Sequence, residues 1–519
     1  MIIPLQLPPG IERNGTAYET PNRWYDMSLM RWVSGALQPV GGWERITDVP
    51  LDSTVRRFFT WRDNINTPGI LVGTDRKLFL DWGGVYIDIT PAGFVPPIVT
   101  TAGGYGMGPY GAGAYGTPRP PPSAAFVDPA RTLWSFDNWG EDVFFVASSD
   151  GRLFHYVRAT GDVLPTEQTG APTGNVGVLT TEERYVMLIG TTMNAGPDIG
   201  TFYPRRIAWC SQENPSDWNF SSLTNTAGFL DLDARSPLLR GVRVTGGYLI
   251  FSSTEVFFVR YQGLPYIYGA ERIGTFERLN VNTIATWNGQ AMWWTNKGFQ
   301  AFSGGVVQSV PCPIFSDVMR TFDPTWGPVR AFGSHNGNFP ELWFFYPSSD
   351  AEPGHSNIEC NRYLAYNYLE PHWTWGALQR TAMIGSGATR LPMMGGVTPR
   401  HLYEHEVGWT SAGEPLLGRR FIESGALGVG GGQNLAEVRQ LMLATDTPAG
   451  TASPVDIRFF GRYTPDGAER TFGPYVPRSD GYTDTRVNAR EARIRITSTR
   501  DAAFSIGTMR LDVAQGGTR

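Results

Sequence analysis

The sequence predicts an all-β fold: an irregular β-propeller with a smaller C-terminal β-sandwich-like domain and an extended N-terminal arm. Two observations carry that expectation. Short apolar-aromatic runs recur as hairpins through the middle of the 519-residue chain, punctuated by Gly, Pro, Asn and Asp. Helical periodicity, by contrast, is confined to residues 311–322 (PCPIFSDVMRTF) and a weak stretch near 433–438.

The first 50 residues read as the arm. They run through Pro8-Pro9-Gly10-Ile11, Arg23-Trp24-Tyr25-Asp26, Arg31-Trp32 and Gly41-Gly42-Trp43-Glu44, with no alternation long enough for a free strand. Three Trp and four Arg nevertheless fall in the first 45 residues. Large side chains of this kind anchor contacts, and chain ends stay disordered unless tied down. Arg23, Trp24, Trp32 and Trp43 are therefore the expected anchors, against the body of the same fold or a neighbouring subunit.

Residues 51–414 read as the propeller. Gly69–Gly73 leads through a polar turn to Leu78–Leu80 and on to Val85–Ile89; Val143–Ala147 leads to Leu153–Tyr156; Tyr248–Phe251 to Val256–Val259; Ala291–Trp294 to Phe299–Phe302; Glu341–Tyr346 to Arg362–Tyr368. Weaker copies are 206–209 with 218–220, and 391–396 with 402–404. Each is a strand, a tight turn and an aromatic-bearing second strand, and such repetition favours a propeller over one large sandwich or barrel. Asp150-Gly151, Asn288-Gly289, Asn336-Gly337 and Asp466-Gly467 supply the positive φ that two-residue hairpin turns need. The rhythm breaks at 101–123 (TAGGYGMGPYGAGAYGTPRPPPS), a Gly/Tyr/Pro-rich loop in which Tyr105, Tyr110 and Tyr115 offer contact area to a partner. It breaks again near 415. Beyond that point 438–444, 455–463, 492–497 and 504–513 alternate as strands without hairpin repeats, the expected sandwich of residues 415–519. There Arg493 and Arg495 fall on the face opposite Ile494 and Ile496, a basic stripe open to water or to a subunit.

Composition narrows the class. Aromatics at 13% and 17 Trp exceed what a solvated chain carries, so the protein folds. A formal charge of -5 gives no basic nucleic-acid-binding domain. Cys210, Cys312 and Cys360 are scattered and odd in number, which fits a reducing compartment and no disulfide framework. The opening lacks the basic region of an export signal and no 18-residue apolar stretch occurs, so a soluble chain made inside the cell is expected. Lys77 and Lys297 are the only lysines, and the arginine bias suits bidentate interface contacts as well as a GC-rich genome.

No catalytic constellation emerges. His401 and His405 in HLYEHE sit at helical metal-site spacing, but the segment reads as a strand and lacks the HExxH order. Walker, Rossmann, CxxC, GxSxG and EF-hand patterns are missing, and the Ser149-Asp150-Gly151 turn is an incomplete sialidase-type Asp-box. The expectation is a non-enzyme with no cofactor, no metal and no catalytic residues.

The order of parts resembles the tail-nozzle proteins of short-tailed bacteriophages, also called tail-hub or packaged-DNA-stabilisation proteins. The resemblance rests on the Pro-Gly-Ile start, the Gly41-Gly42-Trp43-Glu44 motif, the central Gly246–Phe258 blade with Ser252-Ser253-Thr254, Ile273-Gly274-Thr275 after it, and the terminal strands through Arg493–Ile496 to Met509–Leu511. It covers nearly the whole length, although the Gly/Tyr insert departs from the family layout. It implies a structural virion protein of the viral tail, assembled in the host cytoplasm as a hexamer below the portal and adaptor ring. Such a ring extends the DNA exit channel, retains packaged double-stranded DNA without binding it specifically, and seats a needle or plug and fibres or spikes. Another head-to-tail or fibre-base component, or a propeller glycoside hydrolase or lectin, is the alternative.

Overall fold

The computed structural model describes residues 2–82, 84–97, 132–158, 164–194, 198–385, 387–427, 434–446, 453–464 and 467–515. Strands dominate them. Seven antiparallel four-stranded sheets follow one another along the chain. Blade one comprises Val55–Arg62, Pro68–Thr74, Leu78–Trp82 and Val85–Asp88; blade two Trp134–Trp139, Asp142–Ala147, Leu153–Tyr156 and Thr166–Glu167. Blade three comprises Gly177–Thr180, Val186–Thr192, Phe202–Trp209 and Gly228–Asp231; blade four Leu238–Val244, Gly247–Ser252, Glu255–Gly263 and Ile267–Thr275. Blade five comprises Leu279–Trp287, Gln290–Thr295, Gly298–Ser303 and Val306–Val310; blade six Phe332–Asn336, Glu341–Tyr346, Arg362–Asn367 and His372–Ala377. Blade seven takes Met383–Ile384, Met393–Gly395 and Leu402–His405, and its fourth strand, Trp43–Arg45, comes from the start of the chain.

The first strand of each sheet packs beside the first strand of the next, and Met383–Ile384 returns to Val55–Arg62. That closed ring is the arrangement of a β-propeller, with the first strands around the axis. It explains why the middle strands are apolar at every position rather than at alternate ones. Val143, Phe145 and Ala147 pack against Leu71 and Leu80 of blade one, while Phe144 and Val146 pack against Val178 and Leu188 of blade three. Both faces of the sheet are covered, so both side-chain sets are buried, each large side chain contributing about 1.5–3 kcal/mol.

The rest of the chain forms two larger sheets. One orders Met30–Val33, Ala36–Pro39, Ile506–Gln515, Ala436–Thr445 and Tyr482–Ala489, with Ile2–Leu5 also on Ile506–Gln515. The other orders Trp24–Ser28, Phe421–Ser424, Glu491–Ser498, Val455–Arg462 and Arg470–Tyr475. Val438, Leu441 and Leu511 from the first share one core with Ile457, Ile494 and Ile496 from the second. The same core continues into Trp294, Phe344 and Trp373 of blades five and six, so the two-sheet body and the ring are joined by buried apolar contact.

Several sequence expectations change. In place of an extended arm, the first 45 residues supply four strands to the two-sheet body and one to the ring; they are strands because partners exist elsewhere in the chain, which local periodicity does not show. The weak helical stretch near 433–438 enters the strand Ala436–Thr445, its burial alternating against Leu511 and Val487. A helix does form at Phe315–Thr321. In the copy at 206–209 and 218–220 only the first run is a strand; its sheet neighbours are Val186–Thr192 and Gly228–Asp231. Of the four named turns, Asn288-Gly289 is a two-residue loop, with φ of 44° and 72° between the paired Trp287 and Gln290. Asp150-Gly151 and Asn336-Gly337 lie in longer connections, and Asp466 lies outside the described residues. The Gly/Tyr/Pro-rich loop at 101–123, with Tyr105, Tyr110 and Tyr115, also lies outside them.

Candidate functional site

The N-terminal residues expected to anchor an interface are mostly interior. Trp24 is 3% exposed in the joint between the two-sheet body and blade six. Trp32 meets His372 edge-on at 5.4 Å. Trp43 stacks on His405 at 5.1 Å. These three are closed to any neighbouring subunit, because the chain's own sheets already cover them. Arg23 alone of the four is exposed, with Nε 3.3 Å from Glu12.

Two arginines not singled out from the sequence organise that joint. Arg31, completely enclosed, places Nε 3.1 Å from Glu341 Oε1 and donates from Nη2 to Glu406 Oε1 at 2.6 Å, with Phe339 under its guanidinium at 3.8 Å. Burial alone would lower its pKa, but the two carboxylates hold it above the ordinary arginine value. Glu406 also accepts from Gly41 N at 3.0 Å. Gly41 and Gly42 let the chain lie against residues 406–410: a Cβ on Gly42 would come 2.4 Å from Thr410 O. Arg13 lies between the rings of Tyr25 (4.5 Å) and Trp375 (4.3 Å), with Nε 2.7 Å from Asp317 of the short helix. Asp26 beside it accepts from Trp375 Nε1 at 2.8 Å, and burial raises its carboxyl pKa.

The ring is closed by Trp43, the sole buried side chain of its three-residue strand. Arg380 sits between the rings of Trp43 (4.9 Å) and Tyr403 (4.7 Å) and donates from Nε to His405 Nε2 at 2.9 Å. Burial lowers Arg380 to about 9, and burial with the adjacent guanidinium keeps His405 well below the usual imidazole range. His405 is thus a neutral acceptor. His401 pairs with Thr47 Oγ1 at 3.2 Å instead. Both histidines are structural, and among the described residues no group of three or more His, Cys, Asp or Glu is placed to hold a metal ion.

Arg493 and Arg495 do not form an open basic stripe. Arg493 is buried, paired with Glu423 and with Glu469 at 2.6 Å, and Tyr18 lies 5.2 Å below it. Arg495 covers Phe421 at 3.7 Å and lies 3.6 Å from Glu423. Register explains the difference: Glu423 on the neighbouring strand is the direct partner of Arg495, so the stripe is neutralised within the sheet.

An open surface of a different kind exists on blade four. Its last two strands, nine residues each, run past the rest of the blade to a tip at Leu264-Pro265-Tyr266. Leu264 is 77% and Tyr266 75% exposed. Ile267 next to them is buried at φ 61°, a left-handed conformation that a β-branched residue adopts at a cost of roughly 1–3 kcal/mol. Packing against Tyr185 and Trp209 holds it there. The tip borders a groove of about 410 Å³ lined by Leu230, Leu232, Phe257 and Tyr268. This hairpin is not among those read from the sequence; the apolar Leu264-Pro265-Tyr266 cluster after Val256–Val259 was the available signal.

These features define an all-β protein built on four-stranded antiparallel sheets, matching β-propeller structures. The WD40 domain of Neurospora crassa Pan2 is similar over 72% of this chain and 97% of its own length, at 8% identity and TM-score 0.39. YCF48 from Cyanidioschyzon merolae is similar over 70% of this chain and 99% of its own, at 10% identity and TM-score 0.37. No protein-family model matches the chain. No curated protein sequence matches it either.

Proposed function

We propose that the chain is a structural virion protein of a short-tailed phage, a tail nozzle or hub. In this reading copies assemble head-to-tail into a hexameric ring below the portal and adaptor, retain packaged DNA, and seat a plug or fibres. The fold is then a seven-bladed propeller with a C-terminal sandwich, fused by the N-terminal segment. The observation that carries the reading is that fusion. One short segment contributes strands to both bodies and is clamped by Arg13 and by the enclosed Arg31–Glu341–Glu406 cluster. A part that must hold shape against internal genome pressure gains from having no hinge between its bodies. A cyclic ring needs two different complementary faces on each copy, and the projecting Leu264–Tyr266 tip supplies an apolar element for one of them.

Mass spectrometry and imaging of purified particles made from the genome that encodes this chain test the proposal. The expected result is six copies in a ring directly below the adaptor. Absence from particles, or a location outside the head-to-tail axis, overturns it.

A further inference from the structure

The axis-lining strands carry Arg56, Arg57, Arg62, Arg240 and Arg243 against a single acid, Asp137. This cationic surplus is opposite in sign to the chain's overall charge of -5. Four of the five arginines, Arg240 among them, have partners. Arg56 pairs with Asp75 at 2.7 Å and Glu359 at 2.8 Å. Arg62 donates to the carbonyl of Asn66 at 3.0 Å, and Arg243 to that of Thr180 at 2.8 Å. Arg57 and Arg240 border a half-open axial pocket of about 210 Å³, walled by blades one, four, five, six and seven. Arg240 Nη1 donates weakly to Asn282 Oδ1 at 3.5 Å. Arg57 has no hydrogen-bond or ion-pair partner among the described residues. Burial in the wall lowers its pKa to about 10, against the pull of Asp137 in the other direction, so it stays charged at neutral pH.

We infer that this axial cavity binds a small oxyanion, a phosphate or carboxylate group held between Arg57 and Arg240. Two guanidinium groups on one pocket wall leave a local excess of positive charge, and a planar fork of donors is matched by two oxygens of one such group. Ser334 and Asn282 add uncharged polar groups to the wall. The volume admits a small molecule and excludes duplex DNA. Arg57 comes from blade one and Arg240 from blade four, across a ring of seven, so a bound anion ties together blades that do not touch. The inference does not depend on the virion reading.

Titration calorimetry on the full chain, with sodium phosphate and separately with citrate, in chloride buffer of matched ionic strength, tests this. Saturable binding is expected, weakened about tenfold to a hundredfold in Arg57→Met and in Arg240→Gln. Phosphate or citrate should also raise the melting temperature of the parent more than that of Arg57→Met. Generic stabilisation by excluded salts does not saturate and is equal in both proteins. Binding of phosphate alone, or of citrate alone, identifies which chemistry the site takes. Neither probe binding, or unchanged affinity in both variants, overturns the inference; if Arg57→Met fails to fold, Arg240→Gln decides.

Discussion

Truncating Trp43 should open the ring. The residue is 3% exposed and is the one buried side chain of the strand that completes blade seven; Glu44 and Arg45 beside it are exposed. Trp43→Ala removes a core indole, which costs about 3–5 kcal/mol. It also strips one of the two rings from Arg380, a buried guanidinium with no ion-pair partner among the described residues, for up to about 2 kcal/mol more. No other side chain of the three-residue strand is buried to offset that loss. The expected result is a first unfolding transition shifted by at least about 3 kcal/mol in urea, with new protease cleavage within residues 46–54. Trp43→Phe retains a ring over His405 and should recover more than half the loss. A shift under about 1 kcal/mol for Trp43→Ala, with an unchanged digestion pattern, would show that the closure does not depend on this side chain.

Acid should weaken the same closure. His405 is held neutral in the folded chain, whereas the unfolded chain takes up a proton near pH 6.5, so its contribution is present above that pH and is lost as pH falls below it, by up to about 1.4 kcal/mol per pH unit. His405→Gln keeps an acceptor for Arg380 and should flatten the pH dependence of urea stability below pH 6.5; an unchanged slope rejects the assignment. Leu264→Asp with Tyr266→Asp should leave monomer stability within about 0.5 kcal/mol while reducing ring formation in native mass spectrometry, and intact assembly would remove the tip from the interface. Gly289→Ala forces a side chain into φ 72° and a Cβ 2.0 Å from Thr245 Oγ1; melting should drop by more than about 1 kcal/mol equivalent, and no drop would contradict the tight-turn geometry.

By itself the sequence determined the all-β class and the hairpin rhythm, because both are local: turn residues and uninterrupted apolar runs report strands covered on two faces. Six of the hairpins read from the chain are the middle strands of blades. The structure alone decided where the N-terminal residues go. Trp43 pairs with His405, and Arg31 meets Glu341 and Glu406, across more than 300 positions of chain. No periodicity encodes a partner at that separation. The arginines tell the same story from the side of charge. Arg493 and Arg495 look like an open stripe until Glu423 is brought alongside, and Arg56 is ion-paired with two carboxylates whereas Arg57 feels Asp137 only at longer range among the described residues. Residue type fixes what a side chain can do, but its neighbours in space fix which charges are cancelled and which are left facing a cavity.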